Sequence, residues 1–229
     1  MTDRDYNAPP LNPLPWIVWA LALPLIAVEI VVQLHALGLA GGGVSSNWRL
    51  EAVQYFAFVP DWFREDLATG RLAERGYRLI SYMLVNVSLT STVFSVVMLL
   101  ALGKMVGEVF RWWAVALVFL AAAAVGALAY AYFIPGNQTP IIGTFPAVYG
   151  LIGAFTFMLW VRLAATGGTQ ARAFTLIGFL LGFQLLFGML FGGNWEWVAD
   201  LAGFSTGFLL SFVVSPGGWS RVRARMRER

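Results

Sequence analysis

The residues of this chain that could carry chemistry are few. There is no cysteine and one histidine, His35. Disulfides, thiol nucleophiles and thiolate metal sites are therefore excluded. One histidine also fails to supply the paired imidazoles, one helical turn apart, of an HExxH zinc site. Two acids interrupt the long apolar runs, Glu29 and Asp200. An intramembrane aspartyl pair would need two aspartates, and Asp200 is the single one in such a run. No metal and no cofactor is expected. The stretch that most resembles a special site is "GTFPAVYGLIGAF", Gly143 to Phe155. It opens on glycine and packs small residues at Ala147, Gly150, Gly153 and Ala154. A helix that begins so calls for a small reactive side chain near its start. Phe145 stands there instead, followed by Pro146.

The elements that must position these residues are membrane helices. The 229-residue chain is 59% hydrophobic and 12% charged, with a mean hydropathy of +0.72. A soluble domain carries roughly twice that share of charge. Hydropathy marks six runs near the roughly 20 residues a helix needs to cross a bilayer. They are about 15–37, 79–102, 112–134, 143–160, 174–191 and 198–214. These make one all-α helical bundle over 15–214, between a short N-terminal segment (1–14) and a basic tail (215–229). A transmembrane barrel would show short alternating segments instead. The start, "MTDRDYNAPPLNPLP", lacks the basic n-region of a signal peptide, so the first run is expected to stay as an anchor.

Charge gives the orientation. Lys104 and Arg111 follow the second run, Arg162 and Arg172 the fourth, and five arginines (221, 223, 225, 227 and 229) fill the tail. The loop "PGNQTPIIG" after the third run has no charge. Positive residues favour the cytoplasm, which puts both termini inside and the first loop, about 41–78, outside. The tail is read as a cytoplasmic lock on anionic lipid, with no nucleic-acid partner. The first loop mixes aromatics with charge, and its five arginines are balanced by five acids. Its apolar part, Val53–Phe63, is broken at Pro60 and is expected to form ordered helices lying in the interface plane.

Packing follows from the small residues. Gly143, Ala147, Gly150 and Ala154 share one helix face, and Ala199, Gly203 and Gly207 share another. Small-xxx-small faces let helices approach closely in lipid, so the fourth and sixth runs are expected to pack together. The fifth run has its own pairs, Gly178/Gly182 and Gly188/Gly192.

Together, "GTFPAVYGLIGA", "DLAGFSTGFLLSF" and "RLISYMLVNVSLTSTVFSVVMLLALG" resemble the rhomboid intramembrane serine proteases. In that family the fourth helix opens with a GxSx motif. The sixth carries a histidine, then glycine three residues on and another four later. The second runs from Arg-Leu-x-x-Tyr to Leu-Gly. The likeness covers about Arg49 to Val214. It implies a six-helix fold and a Ser–His dyad, in which the imidazole takes the serine proton for attack on a peptide bond while donors hold the oxyanion.

Carried over residue by residue, the nucleophile falls on Phe145 and the base on Asp200. Two family histidine positions on the second helix fall on Asn86 and Ser91, and the family asparagine on Ser95. Tyr149, which packs on the catalytic ring in the family, is kept, as are Gly203 and Gly207. Thr144 adjoins the nucleophile position, and Ser205 is expected to face away from the glycine stripe. The resemblance therefore implies a rhomboid without its dyad, either decayed or binding transmembrane segments of single-span clients without cutting them. A working serine endopeptidase is the alternative. A small transporter or ion path using Glu29 and Asp200 is a second. Asp200 itself is expected near the interface, solvated beside Asn194 and Glu196, and His35 is read as an interfacial side chain.

Overall fold

The computed structural model describes residues 13–39, 47–134, 139–182 and 195–216. Ten helices run through them: α1 (Trp16–Ala36), α2 (Trp48–Phe56), α3 (Pro60–Thr69), α4 (Leu72–Arg75), α5 (Arg78–Ser81), α6 (Leu89–Gly107), α7 (Trp112–Phe133), α8 (Phe145–Ala165), α9 (Gln170–Gly182) and α10 (Trp197–Val214). Of these, α1, α6, α7, α8 and α10 are long and apolar enough to cross a membrane. The fifth expected run begins as the shorter α9. Its remainder, with Gly188 and Gly192, lies outside the described residues.

In lipid, burial of apolar surface does not by itself drive helices together, so close packing and polar contacts hold a bundle. Here α7, α8 and α10 meet backbone to backbone. A Cβ added at Gly207 would overlap the Gly150 carbonyl, and one at Gly203 the Pro146 carbonyl. A Cβ at Gly153 would overlap the Phe204 carbonyl, and one at Gly126 would sit 3.0 Å from the Ala199 oxygen. Ala147, Ala154 and Ala199 are fully buried in the same seam. Gly143 is not part of that face. It precedes α8 with φ of +109°, a conformation open to glycine and costly for other residues. Among the described residues Gly178 and Gly182 serve no close packing, since a Cβ at either meets nothing within 4 Å. Helix α1 packs on α6, where a Cβ at Gly103 would come within 2.9 Å of Val18.

The second span needs correction. Hydropathy starts it at Leu79, but α6 begins at Leu89 and runs on to Gly107. Residues 78–84 form α5 and one 3₁₀ turn, and Val85 is extended. Two contacts hold this approach segment: the Tyr82 hydroxyl donates to the Ala123 carbonyl at 2.8 Å, and Gly143 N–H donates to the Tyr82 carbonyl at 3.1 Å. Ser88 then caps α6, its Oγ accepting from Ser91 N–H at 3.2 Å, which satisfies one unpaired donor of the first turn. Helix α8 likewise begins at Phe145, not Gly143, and extends to Ala165.

From Asn47 to Arg78 the first loop forms short helices. Asn47 caps α2, Pro60 starts α3 at its first turn, and Gly70, with φ of +72°, ends it. Arg64 of α3 donates to the Ala131 and Ile134 carbonyls at the end of α7. Phe58 and Ile141 exchange two backbone hydrogen bonds, which ties the loop to the strand-like approach to α8.

Candidate functional site

The site suggested by the sequence lies where α6, α8 and α10 begin. Asn86 precedes α6 and is buried. Its amide Nδ2 donates to Thr144 Oγ1 at 3.2 Å, and its Oδ1 accepts from Thr144 N–H at 3.2 Å. The Thr144 hydroxyl donates in turn to the Met83 carbonyl at 2.7 Å. Asn86 and Thr144 thus pin the start of α8 to the entry of α6. Pro146 suits this first turn, where a missing N–H leaves no broken bond. Phe145 is half-buried, and its ring lies 6.1 Å from the ring of Phe94 on α6.

Ser91 takes part in the Ser88 cap through its N–H. Ser95 is fully buried, and its Oγ has no hydrogen-bond partner among the described residues. Ser205 donates to the Leu201 carbonyl of its own helix at 2.8 Å. The two hydroxyls that the sequence offers as substitute nucleophiles, Thr144 and Ser205, are both spent on backbone carbonyls.

Asp200 is not the solvated group the sequence suggests. It is 4% exposed and stands in the first turn of α10, where the helix dipole favours an anion. Tyr82 and Tyr149, both buried, lie within electrostatic reach of its carboxyl group. The structure therefore gathers Pro146, Tyr149, Asp200 and Gly203 around the α8–α10 seam, while Phe145 lies against Phe94 of α6, with Asn86 and Thr144 beside it.

Glu29 is elsewhere and fully engaged. Arg49 of α2 places Nη2 at 2.6 Å from Oε1 and Nη1 at 3.3 Å from Oε2. Thr92 of α6 donates to Oε2 at 2.7 Å, and Gln33 to Oε1 at 2.8 Å. Arg49 Nη1 also donates to the Asn86 carbonyl at 2.7 Å. Sequence reasoning finds no cation within the spans to match Glu29 and misses this set. The one available signal was Glu29 itself, because a carboxylate in an apolar helix demands a partner. His35 stacks on Trp48, ring centroids 4.4 Å apart and 4° from parallel.

The family model for the Rhomboid domain matches residues 73–217, more than half of the chain. The chain belongs to the rhomboid family. The match takes in α6 to α10 and the whole α8–α10 seam of this rhomboid. No curated protein matches the chain significantly. As a rhomboid with five membrane-length helices among the described residues, the chain is an integral, multi-pass membrane protein.

Proposed function

We infer that this rhomboid is proteolytically inactive and binds transmembrane segments of single-span client proteins. The observation that carries the reading is at the opening of α8. The position that corresponds to the family's nucleophile holds Phe145, whose benzyl group has no nucleophilic atom and packs on Phe94. The neighbouring Thr144 hydroxyl is bonded to the Met83 carbonyl. Asp200, at the base position, has an acid's capacity to take a proton, but the residue at the nucleophile position, Phe145, carries no hydroxyl for it to activate. The close α8–α10 seam holds the bundle together, which binding without cleavage requires.

The distribution of Lys and Arg supports both termini in the cytoplasm, and the short six-span form is the ground for proposing a bacterial inner membrane. Glu29 speaks against an ion path: its carboxylate is neutralised by Arg49.

The test is cleavage of a single-span reporter by the purified protein in liposomes, with a fluorophosphonate probe alongside. The expected result is no cleavage and no labelling, with the intact reporter captured by photo-crosslinking. Cleavage blocked by the probe would overturn the reading.

A further inference from the structure

We propose that a cavity in the first loop binds the phosphodiester of a membrane phospholipid through Arg78. The cavity has a volume of about 510 Å³ and lies between α2, α3 and the start of α5, closed on one side by Pro140. Val53, Val59 and Pro140 give it apolar lining, and Trp62 and Arg78 also line it.

Arg78 is the reason to expect an anion there. Three other arginines of this loop have carboxylate partners: Arg49 with Glu29, Arg64 with Asp61, and Arg75 near Asp66. Arg78 is half-buried yet has no carboxylate within salt-bridge distance among the described residues. Its Nη1 donates to the Ala57 carbonyl at 2.9 Å, and its guanidinium lies 5.1 Å from the Trp62 ring centre and 5.8 Å from that of Tyr77. Its Nε is buried with no acceptor among the described residues. Asp61 lines the same cavity, but its Oδ1 is taken by Arg64 at 2.8 Å. A partly desolvated cation with unspent donors is a costly arrangement unless an anion completes it, and guanidinium forks suit phosphate oxygens.

The ligand is a lipid rather than a free ion because the cation shares its cavity with apolar lining, as an amphiphile requires. Trp62 and Tyr77 are 41% and 50% exposed, and such rings settle at headgroup level in a membrane protein. This inference stands apart from the client reading, since it needs neither the α8–α10 seam nor a client.

The test uses the full-length protein in dodecyl maltoside micelles, which carry no phosphate, titrated with phosphatidylglycerol and read by native mass spectrometry. Arg78→Met is expected to weaken phosphatidylglycerol binding by about tenfold or more, the weight of a charged hydrogen-bonded contact. Arg71→Gln removes the same charge from an exposed position of the same loop and is expected to change binding by less than about twofold at moderate salt. Gln54→Glu, at an exposed cavity residue, supplies the missing carboxylate and is expected to weaken binding while leaving the fold intact. It keeps the question answerable if Arg78→Met does not fold. Equal losses for Arg71→Gln and Arg78→Met, or unchanged binding by Gln54→Glu, would overturn the proposal. So would displacement of the lipid by millimolar inorganic phosphate or by an acidic peptide, which would assign the cavity to those ligands.

Discussion

Glu29 and Arg49 allow a quantitative prediction. The two side chains are 8% and 22% exposed and meet at 2.6 Å. Glu29→Gln keeps the volume and the Thr92 contact but removes the negative charge, leaving Arg49 half-buried with one carbonyl. Hydrogen bonds to charged groups contribute about 1.5–3 kcal/mol, and leaving one partner of a buried pair unmatched costs about 3–5 kcal/mol. Arg49 keeps some solvent contact, so the lower part of that range applies. Glu29→Gln and Arg49→Gln are each expected to cost about 2–3 kcal/mol, a shift on the order of thirtyfold or more in the folded-to-unfolded ratio. The double variant is expected to cost little more than either alone, a coupling of about 2 kcal/mol. Denaturant unfolding in mixed micelles, followed by tryptophan fluorescence, measures all three. Additive losses, or a Glu29→Gln cost below about 0.5 kcal/mol, would refute the claim that this pair locks α1, α2 and α6 together.

The same unfolding assay checks the helix seam. Gly207→Ala drives a methyl into the Gly150 carbonyl and is expected to cost at least about 2 kcal/mol. Gly178→Ala meets nothing and is expected to be neutral or to stabilise by up to about 1 kcal/mol through helix propensity. Thr144→Val loses the bond to Met83 and the acceptor for Asn86; a loss of about 1–3 kcal/mol is expected. Ser95→Ala removes a buried hydroxyl without a partner and is expected to leave stability unchanged or raise it by up to about 1 kcal/mol; a comparable fall would show that Ser95 is bonded after all.

Much of the fold was legible because helix-forming apolar runs and small-residue faces are local patterns. The faces of Ala147–Gly150–Ala154 and Ala199–Gly203–Gly207 could be read directly, because a period of 3.6 residues puts them in line. The start of α6 could not. Residues 79–88 are as apolar as a span, and a hydropathy window averages across the Ser88 cap. Tyr82 keeps this segment out of the long helix by reaching the Ala123 carbonyl of α7, 41 residues on. The glycines of α9 show the opposite error: small-residue spacing was present, but no neighbour came close enough to use it.

By itself the sequence determined the solvent of this protein, its helical class, its likeness to rhomboids and the absence of a hydroxyl at position 145. Those follow from composition and short-range spacing, which need no coordinates. Only the tertiary structure decided which polar groups are spent. The Thr144 hydroxyl was found to donate to the Met83 carbonyl, 61 residues away in sequence. Glu29 changed from a candidate ion site to half of an ion pair once Arg49 was found beside it. Asp200 moved from the solvated edge to the interior, and Arg78 emerged as a half-buried arginine with no carboxylate within salt-bridge distance among the described residues. Hydrogen bonds act over about 3 Å, and only the folded chain brings residues so far apart in sequence within that distance.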